Sequence, residues 1–462
     1  MSSVSNKPRD NKFFFYLALW ACKATQLAMK LAHKHVPYFA GNIAAKICPN
    51  YRYYLNKPEL IIAITGTNGK STICQMLVDF FNSQNKKVVN NDGFNTSPGV
   101  IAYLTDCVNI FNKVNTDVAI LEVDEISCKS IFVDVVPNYM IINNLMRDSI
   151  KTNSTPDIVR NRIAEGLNNQ TKLIINGDDA LCVTLGNDDA VYFGMSKLDS
   201  DEDHIFNKVN DMVLCPACNK KLKYSNVKYN NIGNYECSCG YKRPTCKYEI
   251  SEINFNDSYF VLNNEKYNLN FNNVPNTYNI LSVISLLQEI GYDHQKINNA
   301  FKDVKILDSR YSSEIVKDKK LTAIMIKGSN PNTMYPMLKT VKDCQKKKDV
   351  VFIFDDLQRR KYEVETVHWI YDVDFELLAD DESINKIIVG GPRSKDYLLR
   401  LLIAGVSKDK IIIVDEEHKV IDQIAYKDVD EIFLAYDIYS CDLAIELKGL
   451  IKTKMEELGW KK

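Results

Sequence analysis

The chain is predicted to be α/β: a mainly parallel sheet domain with a four-cysteine zinc-ribbon insertion, then a second, Rossmann-like α/β domain. Three observations carry this. β-type apolar runs alternate with helical patterns from Glu59 to about residue 193, and again from about Ile315 onward. That is the rhythm of parallel strands joined by crossover helices. Between the two alternations, Cys215-Pro-Ala-Cys218 and Cys237-Ser-Cys239 form two paired-thiolate knuckles. The stretch Ile61 to Thr72 passes from an apolar run through a glycine-bounded turn into a helical pattern, which is how a phosphate-binding loop is built. The expected division is a helical segment over 1–55, a nucleotide-binding sheet domain over 56–312 with the ribbon at 205–250, and the second domain over 313–462.

Composition sets the bounds. At 462 residues, with 45% hydrophobic and 25% charged, the chain has the make-up of a soluble globular protein of two or three domains. A net charge of −1 gives no whole-chain attraction to nucleic acid or to an anionic membrane. Of thirteen cysteines, nine are scattered singly in apolar surroundings, as buried thiols of a reducing compartment are. Phe13 to Trp20 is apolar but short, and Lys23 follows it; a spanning helix needs ~20 apolar residues. The expected location is the cytoplasm, with a place at the inner face of the membrane left open.

In chain order, Lys12 to His35 suits a helix, because Phe14, Leu17, Trp20, Ala21, Ala24, Leu27, Ala28 and Leu31 recur at helical spacing. Two readings stand for it: a helix packed on the next domain, or one lying on a membrane surface or a lipid-linked substrate. The loop Gly66-Thr67-Asn68-Gly69-Lys70-Ser71-Thr72 follows an apolar strand. Its glycines let consecutive N–H groups turn inward onto phosphate, and the new helix adds its positive end. Lys70 is placed to reach the β and γ phosphates of ATP, and Ser71 to ligate Mg²⁺. Counted from Gly66, the loop is two residues shorter than G-x-x-x-x-G-K-[ST]; in the full pattern the first glycine falls on Ile64.

The next expected strands are 87–89, 117–124, 139–143, 173–176 and 191–193. In such a sheet, ligands bind beyond the carboxyl ends of the strands. Glu122 and Asp124 fall at one such end, where a carboxylate holds Mg²⁺ or makes a strand-end ion pair. Asn176-Gly177-Asp178-Asp179 falls at another, as a turn or as a nucleotide contact through Asn176 and Asp178. Cys215, Cys218, Cys237 and Cys239 match a structural zinc site: a closed four-sulfur shell leaves no position for water. The lysines around it are solvated charge or an RNA contact, and Cys246 is a spare. Strand-like runs over 247–253, 258–263 and 266–271 lead to a helix opening at Pro275. Its Asn276 and Asn279 share one face, to meet adenine or to cap the helix. Arg310 is a phosphate contact or a surface ion pair. The second domain's strands are expected at 322–326, 350–354, 386–389, 410–414 and 431–435, with a final helix over 442–458.

These stretches together resemble the Mur ligase superfamily, and within it the MurT family. The resemblance spans nearly the whole chain. It includes the phosphate loop, Leu121-Glu122-Val123-Asp124-Glu125, Asn176 to Asp179, the four-cysteine insert, Asn276-Thr277-Tyr278-Asn279, Asp308-Ser309-Arg310, Asn330-Pro331, and Trp369 to Glu376. It implies an ATP- and Mg²⁺-dependent carbon–nitrogen ligase of peptidoglycan synthesis with structural Zn²⁺. On that reading the enzyme amidates the α-carboxylate of D-glutamate in lipid II through an acyl phosphate. Ammonia would come from a GatD-like glutaminase subunit in a heterodimer, and no nucleic acid is involved. Lys70, Glu122 and Arg310 would be catalytic. The chain departs from the family at three places, one of them the loop Asp355-Asp356-Leu357-Gln358-Arg359-Arg360-Lys361, more charged than the family's small polar stretch. Arg147-Asp148-Ser149-Ile150-Lys151-Thr152 keeps only the first two residues of an Arg-Asp-Gln-x-Asp-Arg-like stretch. Three residues before Trp369, where the family carries a catalytic Asp, stands Thr366, with Glu365 adjacent. The alternatives are a diverged ligase acting on another carboxylate or amine, and a nucleotide-binding scaffold.

Overall fold

The computed structural model describes residues 12–33, 37–91, 93–147, 155–199, 201–205, 207–255, 257–268, 273–302, 311–326, 330–354, 367–437 and 440–458. They fall into two compact units. One comprises Met1–Met146, Pro156–His204 and Met212–Ile306; the other comprises Arg147–Thr155, Ile205–Asp211 and Leu307–Lys462.

The first unit is built on β1 (Leu60–Thr65), β2 (Val88–Asn90), β3 (Val118–Glu122), β4 (Tyr139–Ile142), β5 (Lys172–Asn176) and β6 (Val191–Met195). A two-stranded antiparallel hairpin, β7 (Lys223–Tyr229) and β8 (Ile232–Glu236), stands apart in the cysteine insert. Then β9 (Tyr248–Asn254), β10 (Tyr259–Leu262) and β11 (Glu265–Asn268) complete a nine-stranded sheet in the order β11-β10-β9-β6-β5-β4-β1-β3-β2. Every pairing from β2 to β9 is parallel, and β9, β10 and β11 pair antiparallel.

Both faces of this sheet are buried, which is why its central strands read as unbroken apolar runs rather than alternations. Ile61, Ala63, Ala119, Leu121, Met140 and Ile142 face one core, with Phe15, Ala18, Leu19 and Cys22 of the helix Lys12–Leu31. Ile62, Ile64, Ile120 and Ile141 face the other, with Ile73, Leu77 and Phe80 of the helix Lys70–Ser83. The helix Val274–Ile290 joins that second core, capped at its start by the Asn273 side chain on the Asn276 N–H and ended by Gly291 at φ 106°. No helix among the described residues is long and apolar enough to cross a membrane.

The second unit carries β12 (Tyr311–Val316), β13 (Lys319–Ile326), β14 (Lys348–Ile353), β15 (Ile384–Gly390), β16 (Ile411–Val414) and β17 (Glu431–Asp437), in the order β12-β13-β17-β14-β15-β16. All pairs are parallel except β12 with β13. Edge strand β12 is missing from the sequence reading because Ser312, Ser313 and Glu314 give it no apolar alternation. Residues 368–372 and 375–378 form short 3-10 turns, and the last helix is Cys441–Leu458.

Candidate active site

The loop after β1 is held open by contacts to the end of β4. Gly66 and Gly69 take φ of 131° and 92°, in the left-handed region that favours glycine. At Gly69 a Cβ would also lie 2.2 Å from Asn279 Oδ1, so no larger residue fits. The Thr67 N–H donates to Asn144 O at 2.9 Å, and the Asn68 N–H to Asn144 Oδ1 at 2.9 Å. The helix starts at Lys70, so its first-turn amides have no i−4 carbonyl partner and are free to meet an anion. Ser71 is exposed beside them and Thr72 is half-buried.

Lys70 is buried. Its Nζ donates to Gly66 O at 2.6 Å and pairs with Glu125 Oε1 at 2.7 Å. Burial alone would lower its pKa, but Glu125, with Glu122 and Asp124 near, outweighs this and raises it. The ammonium therefore stays charged. Glu122 ends β3 opposite Ile64 of β1, two residues before Gly66. It is 4% exposed. Asn95 Nδ2 reaches its Oε1 at 3.3 Å, and its Oε2 has no hydrogen-bond partner. A buried carboxylate oxygen with nothing to neutralise it is costly, and a hard divalent cation satisfies it. Ser71 and Glu122 thus suit Mg²⁺ in ligand type. Glu125 was within the quoted motif but had no assigned role; its pairing with Lys70 joins residues 55 positions apart, which no local pattern reports.

Asn279 comes to the loop at Gly69, and Asn276 is bonded to Asn279. Asn279 Nδ2 donates to Asn276 Oδ1 at 3.1 Å, and Asn143 Nδ2 to Asn279 Oδ1 at 2.8 Å. Asn143 also donates to Asn68 O at 3.1 Å. The helix cap is Asn273, not Asn276. Asn176 and Asp178 are engaged within the fold. Asn176 is fully buried, donating to Asn143 O at 2.9 Å and accepting the Asp178 N–H at 3.0 Å. Asp178 is fully buried too: Oδ2 accepts the Met195 N–H at 2.7 Å and the Tyr278 hydroxyl at 2.6 Å, and Oδ1 accepts Arg243 Nε. These bonds fasten the turn after β5 to its neighbours. Asp179, pushed up to about 6 by burial, caps the short helix Ala180–Val183 and accepts the Leu145 N–H at 2.7 Å.

The Sγ atoms of Cys215, Cys218, Cys237 and Cys239 lie within 4.8 Å of one another. Cys215 and Cys239 are 3.7 Å apart, and Cys218 and Cys237 3.5 Å. Tetrahedral Zn–S bonds of about 2.3 Å give sulfur–sulfur edges of about 3.8 Å, so the donor set fits zinc in type and spacing. Backbone N–H groups of Ala217 and Cys218 point at Cys215, and that of Cys239 at Cys237, whose thiol it helps lower to about 7. Tyr235 OH donates to Gly177 O at 3.2 Å, and Arg243 pairs with Asp178, so the ribbon is bolted to the turn after β5. Cys246 stands outside the cluster.

Within the second unit, Arg147 pairs with Asp211 at 3.0 Å and with Asp372 at 2.9 Å. Its carbonyl accepts Asn332 Nδ2 at 3.2 Å. Fully buried Arg400 donates to Ile370 O at 3.1 Å and Val373 O at 2.5 Å, and pairs with Glu376 at 2.8 Å. Asp374 accepts the Lys208 N–H at 2.7 Å, and burial pushes it up to about 6. The start of the Arg147 stretch, the helix after Asn330-Pro331 and the Trp369 to Glu376 stretch are thereby gathered in one place.

Residues 64–241 match the Mur ligase middle domain and residues 327–440 the MurT ligase C-terminal domain. Over 405 residues, 86% of this chain and 90% of the relative, identity is 30% with the MurT subunit of lipid II isoglutaminyl synthase (glutamine-hydrolyzing) of Staphylococcus aureus strain COL. The chain belongs to the MurT family. The Streptococcus pneumoniae MurT subunit is 26% identical over 425 residues, 90% of this chain and 92% of that one. Among solved structures, a pseudomurein peptide ligase type C from Methanothermus fervidus superposes with TM-score 0.66 at 20% identity, over 87% of this chain and 80% of that one. MurF from Acinetobacter baumannii gives 0.62 at 14%, over 89% and 80%. MurF from Thermotoga maritima in complex with ADP gives 0.55 at 14%, over 91% and 84%. These likenesses show the Mur ligase fold.

As a MurT family member the chain is an ATP-dependent ligase. That sets aside the scaffold alternative. Arg310, Glu365 and Thr366 lie outside the described residues, as does 148–152 of the departing stretch. The residues gathered at these places that sequence reasoning left unassigned are Glu125, Asn143, Asn144, Asp211 and Arg400. Each acts through a partner distant in sequence, and only the motif membership of Glu125 offered a signal.

Proposed function

We propose that the chain is the synthetase subunit of a lipid II isoglutaminyl synthase. In this reading the γ-phosphoryl group of ATP passes to an oxygen of the α-carboxylate of D-glutamate in the stem peptide, and ADP leaves. Ammonia attacks the acyl carbon, phosphate departs, and a proton is lost, leaving the amide of D-isoglutamine. The ammonia comes from glutamine, hydrolysed by a GatD-type partner subunit; the curated relatives' name, a glutamine-hydrolysing synthase of which each is a subunit, supports this.

The observation that carries the reading is the buried Lys70–Glu125 pair where the loop enters a helix whose first-turn amides are free, with the orphaned Glu122 oxygen beside it. The amides at the helix start, Lys70 to Thr72, cradle the β and γ phosphates. Lys70 turns from Gly66 O to them and neutralises charge as it develops. Ser71 and Glu122 hold Mg²⁺, which supplies charge neutralisation when bound. Asn276 and Asn279 border the nucleotide from the helix Val274–Ile290, and Arg310 contacts phosphate. Glu365 or Thr366 stands in the role of the family's Asp. Zinc at the four cysteines is structural.

The test is turnover by the purified chain with its glutaminase partner, ATP, glutamine and lipid II. Amidated lipid II and ADP are expected, and ammonium salt should replace partner and glutamine. ADP formation without any amidated acceptor would sink the reading. A second reading, a diverged ligase with another acceptor, is favoured by Thr366 at the Asp position and by Ser149 and Lys151 in the departing stretch. It predicts amidation of a different carboxylate in a panel of stem peptides.

A further inference from the structure

The helix Lys12–Leu31 is apolar on two opposite faces. One face, with Phe15, Leu19 and Cys22, is buried in the first unit's core. The other carries Phe13, Leu17, Trp20, Ala24, Leu27 and Leu31, spaced by threes and fours so that they form one stripe over the helix's whole length. That stripe faces solvent: Phe13 and Leu31 are each 74% exposed and Leu27 60%. Trp20 is held in place, its Nε1 donating to Ile110 O at 2.9 Å, while its ring lines a shallow hollow of about 450 Å³ with Lys12, Phe13, Tyr16, Leu17 and Phe111. Ile110 and Phe111 extend the patch, at 51% and 65% exposed.

Charge says what covers this face. Residues 12 to 58 contain six lysines and one arginine, and no Asp or Glu, in a chain whose net charge is −1. Lys12, Lys23 and Lys30 lie along one flank of the stripe. A second copy laid on this stripe would bring lysines against lysines, and the carboxylate beside the helix, Asp106, is already taken up by Gln26 and Lys23. An anionic bilayer is complementary in both respects: headgroups meet the lysines, and the acyl boundary takes the aromatic and aliphatic stripe.

The geometry points to the helix Lys12–Leu31, with Ile110 and Phe111, as a docking face that lays the chain on an anionic lipid membrane. The helix lies in the interface and does not span it. Under the proposed function this brings the phosphate-binding unit to a substrate carried on lipid, and only that consequence rests on the reading; the docking itself does not.

The experiment is flotation of the full chain, alone and with its glutaminase partner, on vesicles of phosphatidylcholine with and without phosphatidylglycerol, and no lipid II. Binding is expected on the anionic vesicles and only weakly on the neutral ones, and it should weaken as salt screens the lysines. Leu17→Glu/Leu27→Glu, both at solvent-facing positions, should cut binding at least about tenfold with the melting temperature unchanged. The variant should retain turnover on a soluble stem peptide while losing it on vesicle-borne lipid II. Absence of binding by the unmodified chain to anionic vesicles overturns the inference without any variant. So does dimerisation, or binding of the glutaminase partner, that the double variant abolishes in the absence of lipid. Failure of amidation with intact vesicle binding refutes the proposed function and leaves the docking face standing.

Discussion

Lys70 occupies a position where burial and charge conflict, and Glu125 resolves the conflict. Before nucleotide arrives, the carboxylate and Gly66 O occupy the ammonium; phosphate oxygens then compete for it. Lys70→Ala is expected to reduce ATP turnover by about a hundredfold or more, measured as ADP release, while leaving the zinc content unchanged. Turnover close to that of the unmodified chain would remove Lys70 from the phosphate site. A second residue sets a pH limit on stability. Glu289 accepts Lys172 Nζ at 2.6 Å and Tyr248 OH at 2.7 Å, and pairs with Lys247. Burial by itself would raise its pKa, yet these partners hold it at about 2. A folded pKa below the unfolded value means the contribution is present above about pH 4.5 and disappears as pH falls toward 2. Its lysine partners are largely solvated, so Glu289→Gln is expected to cost about 1–2 kcal/mol at pH 7. The gap between variant and parent in urea unfolding should close on acidification; a gap that widens instead refutes the assignment. What spacing reveals at this scale is uneven. Asn276 and Asn279 were readable from i, i+3 on one helix. Asp178 kept two readings, because Asn-Gly-Asp-Asp looks the same whether it binds a ligand or clamps an arginine.

Among the elements, the cysteine insert depends most on something other than packing. Its hairpin β7–β8 is two strands long, and a two-stranded sheet alone is marginal. Four thiolates around a zinc ion would supply on the order of 10 kcal/mol, and Arg243 and Tyr235 fasten the insert to the turn after β5. Cys237→Ser is expected to lower bound zinc from about one per chain and to speed amide exchange in β7 and β8. Exchange there that ignores both the substitution and chelator would show that the hairpin needs no metal. The knuckles were legible because zinc ligation is dictated by spacing over a few residues. Strand β1 was legible for a different reason: both its faces are buried, and six consecutive apolar or small residues have few other uses. Edge strand β12 was not, since its partner on one side only leaves its other side free to be polar.

On the scale of the whole molecule, the second unit draws on chain segments that sequence order assigns elsewhere. Residues 205–211 and the region starting at Arg147 belong with it, and Asp211, 3% exposed, satisfies both the Arg147 N–H and its guanidinium. Removing that carboxylate leaves buried donors unpaired, at about 1–3 kcal/mol. Asp211→Ala is thus expected to speed amide exchange in β14 and β17 while leaving β1 and β4 as they were. Faster exchange in β1 and β4 alone would place Asp211 in the other unit's stability instead. By itself the sequence determined the features that rest on spacing within one or two turns: the strand–glycine loop–helix, the paired-cysteine knuckles, the strand–helix alternation and the helical pattern of the first helix. The tertiary structure alone decided who pairs with whom. Lys70 finds Glu125 across 55 positions, Tyr278 finds Asp178 across 100, and Arg147 finds Asp372 across 225. A charge buried in a folded interior must be neutralised by whatever the packing places beside it, and packing is a property of the folded chain and not of any one segment.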